Sequence, residues 1–537
     1  MQRISSAASQ PLHSVAATRQ IEQQAAASLP PHTLMQRAGL AAARLTLALA
    51  PHAQRIWVAC GPGNNGGDGF EAALQLHQWG KTVVLSWTGP TAGRSQPPDA
   101  AASRQRAVAA GVPMAEQPPG DFDFCIDALL GIGARADTAL TGSTLQWLRL
   151  MQASPAPCLA IDVPTGLDAD TGTDSATDAG SASAPRGAIK SIAVTAYSIR
   201  AKPLFCLSLL TLKPGLFTAH GRDRCGEVWF DDLGVDTAAQ APQAWLAGAD
   251  RVHPPRGQAP HASHKGTFGD VAIVGGQSSP AGPGQADAGN HMSGAALLAG
   301  RAALHAGAGR VFVALLGHGG APPLQVDPLQ PELMFRGFEA LDLVQQVLVC
   351  GCGGGSAVKR VMAKLLSTAP RAVLDADALN AIAQEPQLQT LLMARQHRGY
   401  GTVLTPHPLE AARLAGLGTA QVQADRLATA SALASRFGCV VVLKGSGTVV
   451  AAPGQATAIN ASGNARLATP GTGDVLAGML GAYWASGLAA FDAACSAVFA
   501  HGHLADRWAA DRPGETLTAS ALAAGIREIR HRPEDCS

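Results

Sequence analysis

Short apolar runs recur along the chain, among them Ile56-Trp-Val-Ala-Cys60, Cys158-Leu-Ala-Ile161, Asp270-Val-Ala-Ile-Val274, Val347-Leu-Val-Cys350 and Cys439-Val-Val-Val-Leu443. Runs without polar alternation mark strands buried on both faces, which requires a parallel sheet covered by helices on each side. Between them the apolar spacing turns helical. Ile21, Ala25 and Leu29, then Leu34, Met35, Ala38 and Leu45, predict helices interrupted at Pro30-Pro31. A helix is expected from Phe70 until Gly80 ends it, and another from Met292 to about Ala306. Gly226–Gly234 reads as a closing edge strand, and Ala372–Asn380 reads as a strand. Residues 237–262 lose all periodicity and fill with Ala, Pro, Gln and His. A boundary there gives two α/β domains, 1–238 and 239–537.

Composition narrows the partners. With 47% hydrophobic residues over 537 positions, two large cores are affordable, and only 4% aromatic residues favour close helix–sheet packing over an all-β sandwich. A net charge of +1 gives no support for nucleic acid or anionic membrane as a partner. The ten cysteines contain no C-x-x-C pair, the pattern of reduced thiols, and no apolar h-region opens the chain. A cytoplasmic protein acting on small molecules is expected.

The chemistry gathers at strand ends, where open α/β sheets bind ligands. Gly61-Pro-Gly-Asn-Asn-Gly-Gly-Asp-Gly69 stands between a strand and a helix, and Gly61, Gly63 and Gly66 fit G-x-G-x-x-G. A redox dinucleotide fold needs an acid closing its second strand; Val83-Val-Leu-Ser-Trp87 has none, so that reading is rejected. Asn64, Asn65 and Asp68 instead offer amides and a carboxylate to ribose, phosphate or a cation. Asp127 and Asp162 end two further strands. Each alone is an ordinary turn former, and together they point to one rim. Downstream, Gly471-Thr-Gly-Asp474 opens straight into Val475-Leu-Ala-Gly-Met-Leu480. A glycine turn at a helix start aims backbone N–H groups and the positive dipole end at one point, which suits phosphate. Asp474 beside it suits a base for an attacking hydroxyl, although a turn with a helix cap is the plainer account of these four residues alone. Lys444-Gly-Ser-Gly-Thr448 follows a strand and could hold the rest of a nucleotide, and Asp375, Asp377, Asn380, His407 and Glu410 fall on the same rim.

Taken together, these motifs resemble the bifunctional NAD(P)H-hydrate repair enzymes. The first half carries Gly61–Gly69, Asp127-Ala-Leu-Leu-Gly131, Ile161-Asp-Val-Pro-Thr-Gly166 and Lys213-Pro-Gly215; the second carries His264-Lys-Gly266, Asp375-Ala-Asp377, Thr405-Pro-His-Pro408, Lys444-Gly445 and Gly471–Asp474. The resemblance implies an N-terminal Rossmann-like three-layer α/β/α domain followed by a ribokinase-like α/β domain. It implies epimerisation of R and S hydrates of NADH and NADPH in the first, and dehydration of the S hydrate in the second. There ADP, taken with Mg²⁺, becomes AMP and phosphate.

By the same resemblance, Asp474 and Asp162 are the catalytic residues, with Lys213 as an electrostatic helper. The epimerase domain would hold the hydrate through Asn64, Asn65, Gly66, Gly67 and Asp68, through Gly131, Ile132, Gly133, Ala134, Arg135, Ala136 and Asp137, and through Asp162. It would bind K⁺ at Asn65, Asp127 and Thr165. The dehydratase domain would contact the hydrate at Ala295, Gly353, His407 and Asp474, and the nucleotide at Lys444, Gly445, Ser446, Gly447, Thr448 and Gly473. A homo-oligomer is expected. The sequence departs from the family pattern in an insertion at about Ala182 to Pro203, in a lengthened loop from Gln277 to His291, and in Gly351-Cys-Gly-Gly-Gly355, where the family has Gly-Pro-Gly-Leu-Gly. Two alternatives stay open: a ribokinase-like vitamin or sugar kinase, and an N-terminal half that binds a dinucleotide without catalysis.

Overall fold

The computed structural model describes residues 1–90, 95–133, 140–175, 202–253, 259–278, 292–317 and 324–528. The chain forms two compact units, Met1–Ile4 with Pro11–Gln243, and Ser5–Gln10 with Ala244–Ser537. The membership of Ser5–Gln10 in the second unit is invisible in the hydrophobic pattern. It rests on local polar contacts: Ser9 donates both its N–H and its hydroxyl to Asp250 Oδ1 at 2.7 Å.

In the first unit seven strands run parallel, in the spatial order Met114–Ala115, Thr82–Trp87, Arg55–Cys60, Phe124–Ala128, Cys158–Ile161, Leu204–Leu209 and Glu227–Asp231. Numbered along the chain this is 3-2-1-4-5-6-7, a doubly wound, Rossmann-like order whose direction reverses between Arg55–Cys60 and Phe124–Ala128. Both faces of the sheet are covered. Ile56, Val58 and Cys60 point into one core with Phe70 and Ala73, while Trp57 and Ala59 point into another with Trp147 and Met151. Glu227–Asp231 is not the edge that the pattern implied, because Gln2–Arg3 pairs antiparallel along its outer side.

The second unit repeats the order. Met334–Phe335, Arg310–Gly317, Asp270–Ser278, Val347–Cys350, Arg371–Leu374, Gly401–Leu404 and Val440–Leu443 are parallel neighbours, again reversing beside the first strand in the chain. The antiparallel strands Val449–Ala451 and Thr457–Asn460 extend the sheet. Helix Thr472–Ala485 is buried along almost its whole length, as its unbroken apolar character requires. Its Gly478 leaves room for the backbone of Ala299, where an added Cβ would stand 2.2 Å from that carbonyl oxygen.

Two expected boundaries move. The strand read over Ala372–Asn380 stops at Leu374, and a helix runs over Ala376–Gln384. The alternation Asp375-Ala-Asp-Ala imitates a strand, but Ala378, Ile382 and the buried Leu379 and Ala381 continue on a helical face. The helix expected from Phe70 begins at Asn64, so most of the glycine loop is a first helical turn. The glycines allow this. A Cβ on Gly61 would lie 1.7 Å from Leu129 O, and one on Gly66 would lie 2.1 Å from Gly61 O. Gly61→Ala is therefore expected to destabilise the first unit by about 3 kcal/mol. A calorimetric transition unchanged in that variant would contradict this packing.

Candidate active sites

In the first unit the topological reversal leaves a crevice at the carboxyl ends of the strands, where Gly61–Asn65 and Leu129–Gly133 face each other. It opens into a cavity of about 560 Å³. Asn64, Asn65 and Asp68 reach it from the first turn of helix Asn64–Gln78, whose leading N–H groups have no carbonyl behind them. Leu129 to Gly133 form a second wall, and Asp162 and Lys213 a third.

Asp162 holds φ at +66°, a left-handed conformation uncommon for a residue with a side chain, and this marks a constrained strand end. Its Oδ1 accepts a hydrogen bond from the ammonium of Lys213. Lys213 is fully buried and also donates to Leu209 O at 2.8 Å and to Ser208 Oγ at 3.3 Å. A buried ion pair at a strand end, wetted only by the cavity, places a fixed charge beside whatever fills it.

Deeper in the same crevice lies a knot of oxygen atoms. Asp127 Oδ1 accepts from Thr165 Oγ1 at 2.7 Å and from Leu129 N–H at 3.2 Å, while Oδ2 accepts from Thr165 N–H at 3.0 Å. Burial raises the Asp127 carboxyl above its ordinary range, against those hydrogen bonds. Asn65 packs beside Gly131 with both side-chain polar atoms buried and lacking a protein partner. An orphaned amide oxygen, a carboxylate and a hydroxyl are together the donor types that a hard, weakly hydrated cation takes. Of the expected hydrate-binding residues, Ala134, Arg135, Ala136 and Asp137 lie outside the described residues, as do most of the insertion from about Ala182 and most of the lengthened loop after Gln277.

In the second unit Gly471 caps helix Thr472–Ala485 at φ +91°, which turns the chain so that the first-turn amides point outward. Thr472 N–H reaches back to Thr469 O at 3.4 Å, leaving Gly473 and Asp474 as the amides aimed at the opening. Asp474 stands on that turn. Burial and then Asp375 push its carboxyl up to about 6, although the Cys352 thiol and Lys444 lower it. Lys444 Nζ donates to Asp375 Oδ1 at 2.7 Å, and Thr405 Oγ1 donates to the same atom at 2.8 Å. Burial pulls the Lys444 ammonium down, but Asp375 and Glu410 outweigh it and hold the group above its ordinary value. A Cβ on Gly473 would stand 3.4 Å from Lys444 Nζ, so lysine and glycine turn share one pocket.

Gly445 takes φ +140°, where an added Cβ would sit 2.9 Å from the Arg426 guanidinium. That guanidinium is buried and anchors Leu443 O and Lys444 O at 3.1 and 3.2 Å. Gly447 is also left-handed, and Thr448 Oγ1 ties back to Gly445 O at 3.1 Å, so Lys444–Thr448 is a fixed turn with Ser446 exposed at its tip. Gly353 and Ala295 adjoin: a Cβ on Gly353 would lie 2.9 Å from that of Ala295. In Gly351–Gly355 the backbone is held by Gly355 N–H donating to Asp377 Oδ2 at 2.8 Å and Gly353 O accepting from Gln277 N–H at 2.6 Å.

His407 is occupied by its own helix. Nδ1 accepts the N–H groups of Leu409 and Glu410 at 3.2 and 3.3 Å, and Nε2 faces Glu410 Oε1 at 3.2 Å, so the network assigns the proton to Nε2. Burial lowers the imidazole and raises Glu410 to about 7. Asn380 Oδ1 accepts a hydrogen bond from Arg413 at 2.6 Å. Three groups went unnoticed in the sequence: Glu22 in the first cavity, Cys352 beside Asp474, and the buried His501, whose Nε2 is 2.9 Å from Thr472 O at the base of the glycine turn.

The two units thus define a two-site α/β enzyme, one site built around a buried ion pair and a cluster of oxygen atoms, the other around a helix start that carries a carboxylate. The pattern of the NAD(P)H-hydrate dehydratase family matches residues 288–527, and that of the YjeF-related protein N-terminus matches residues 31–215. The bifunctional NAD(P)H-hydrate repair enzyme Nnr of Escherichia coli is 35% identical, over 93% of this chain and 89% of its own. Its counterpart in Coxiella burnetii is 32% identical over 95% and 97%. The ADP-dependent (S)-NAD(P)H-hydrate dehydratase of Neisseria meningitidis is 41% identical over 50% of this chain and 88% of its own. The chain belongs to the family of bifunctional NAD(P)H-hydrate repair enzymes.

Proposed function

We infer that the first unit interconverts the R and S hydrates of NADH and NADPH, and that the second returns the S hydrate to the working cofactor at the expense of ADP. The observation that carries this is Asp474 standing on a helix N-terminus with Lys444 and Asp375 around it. Hydroxide leaves carbon poorly and phosphate leaves it well. Asp474 takes the proton of the C6 hydroxyl, whose oxygen attacks the β-phosphorus of ADP, supplied as its Mg²⁺ complex, and AMP departs. The outward amides of Gly473 and Asp474, with Lys444, balance the charge of the phosphoryl group in transfer. The ring nitrogen then pushes out phosphate, and loss of a C5 proton restores the double bond. Lys444–Thr448 holds the nucleotide; Ala295 and Gly353 line the hydrate side, with the exposed ring face of His407.

In the first unit Asp162 acts as the acid–base group at C6, oriented and counter-charged by Lys213. Asn64 to Asp68 and Gly131 to Gly133 hold the dinucleotide. Asn65, Asp127 and Thr165 suit K⁺, which would fix the crevice and supply positive charge near the substrate phosphates.

The test is the near-ultraviolet absorbance of reduced nicotinamide in a mixture of both hydrates with the full chain, K⁺, Mg²⁺ and ADP. Complete recovery of NADH is expected. Recovery that stops at the S fraction removes the epimerase, and none with ADP or ATP returns the second unit to the kinase alternative. Because Asp474 must be ionised to accept a proton, S-hydrate dehydration is expected to rise about tenfold per pH unit below about 6 and to level off above it. A profile flat from pH 5 upward would exclude Asp474 as the base.

A further inference from the structure

Inverting one tetrahedral carbon demands chemistry on both its faces, and a single carboxylate serves one. We propose that Glu22 is the second acid–base residue of the epimerase site, working on the face of the nicotinamide ring opposite Asp162. This rests on the reading of the first unit given above.

Glu22 lines the same cavity as Asp68, Asp162 and Lys213. It comes from helix Val15–Ser28, which belongs to neither glycine loop nor strand end. That helix is pinned in place: Ser14 caps it, Asp170 Oδ1 accepts Val15 N–H at 2.8 Å, and Thr18 Oγ1 meets Thr211 Oγ1 at 2.7 Å. Glu22 stands one turn after Thr18, on the same helical face. Arg19, between them, reaches Ile132 O at 3.3 Å, in the loop that forms another wall of the cavity.

The charges point the same way. Four carboxyls, Glu22, Asp68, Asp99 and Asp162, line the cavity with the Arg19 guanidinium and one buried ammonium, and that ammonium is hydrogen-bonded to Asp162. Burial and then Asp162 raise the Glu22 carboxyl, while Lys213 and Arg19 pull it back and Asp99 adds to the rise. Burial, Asp162 and Glu22 raise Asp68 likewise. Burial and neighbouring carboxylates thus favour the protonated form of Glu22 beside an ion-paired Asp162, the pairing that general acid–base chemistry uses. Asp68 sits in the helix turn at the strand-end rim that also carries Asp162, whereas Glu22 approaches from a separate element.

The step balances without a further reactant. Neutral Glu22 protonates the C6 hydroxyl of one epimer, the C6–O bond breaks with its electron pair leaving on water, and the N1 lone pair forms the N1=C6 iminium. A water on the other face bonds to C6 and passes a proton to Asp162. The products are the opposite epimer, one water, ionised Glu22 and protonated Asp162. Proton exchange with solvent returns Glu22 to the acid and Asp162 to the carboxylate before the next inversion in the same direction, and the opposite epimer is inverted with the two roles exchanged.

The experiment uses the full chain with purified R hydrate, excess ADP and Mg²⁺, and H₂¹⁸O as solvent. Wild type is expected to release one ¹⁸O in each phosphate formed, read by mass spectrometry, because inversion takes the C6 oxygen from solvent and dehydration hands that oxygen to the phosphoryl group. E22Q is expected to lower kcat for R-hydrate consumption about a hundredfold with KM little changed, and to lose ¹⁸O exchange in step. E22D, which keeps the acid, is expected to restore most of the rate and to keep a high-pH fall that E22Q lacks. Wild-type inversion without ¹⁸O, an E22Q effect confined to KM, or E22D as inactive as E22Q would each overturn the proposal. If D162N abolishes inversion while E22Q does not, only Glu22 is wrong. If D162N also turns over normally, the reading of the whole site fails.

Discussion

Asp474→Asn is expected to cut ADP-dependent dehydration of the S hydrate by about a thousandfold, with R/S exchange untouched. The amide matches the carboxylate in size and keeps the first-turn backbone in place, so the anion hole survives; only the acceptance of a proton is lost. It also removes a negative charge from a pocket meant for phosphates, shared with Asp375 and Cys352 within 4.8 Å. The KM for ADP is therefore expected to hold or fall while kcat collapses. A turn-and-cap role for Asp474 predicts the opposite, a modest loss of stability with kcat preserved, because Asn substitutes well near helix starts. Steady-state kinetics on the S hydrate at pH 8, with thermal unfolding alongside, separates the two. Isolation of the variant at wild-type kcat would remove Asp474 from the mechanism. The epimerase control has force because Asp162 and Asp474 belong to different compact units.

Much of this was legible before any coordinates. The parallel sheets followed from unbroken apolar runs, and the anion-binding turn followed from glycines leading into an all-apolar helix, both local signals. What stayed hidden is what the chain assembles from afar. Lys444 meets Asp375 across 69 residues and Lys213 meets Asp162 across 51, and no spacing rule links such pairs. Glu22 follows the buried Ile21 in a helix whose polar residues all look solvated, so only the cavity distinguishes it. For His407, the two flanking prolines hold a loop histidine, and what they do not reveal is that capping of Pro408–Ala415 takes its Nδ1. The false strand at Asp375–Asn380 arose because alternating Asp and Ala satisfy a period of two as well as a helix start, and length alone does not arbitrate over six residues.

Lys213→Met is expected to lower epimerase kcat about a hundredfold and to cost the first unit about 3–5 kcal/mol. Methionine fills the volume of the stem but supplies none of the three hydrogen bonds, so Asp162, Leu209 O and Ser208 Oγ lose their donor in a fully buried place. Asp162→Asn makes the converse error and leaves a fully buried ammonium without its counter-charge. Because each single change strands a buried partner, the double variant is expected to be less destabilised than the sum of the singles, by about 1–3 kcal/mol. Activity should combine differently: once Asp162 is gone, removing Lys213 has no base left to orient, and the double variant should turn over no more slowly than D162N. Measured as a cycle of unfolding free energies and R-hydrate kcat values, additive energies would show that the pair is not coupled. A K213M enzyme with wild-type kcat would reduce Lys213 to packing and leave Asp162 to find its charge balance elsewhere in the cavity, whose wall also carries Arg19.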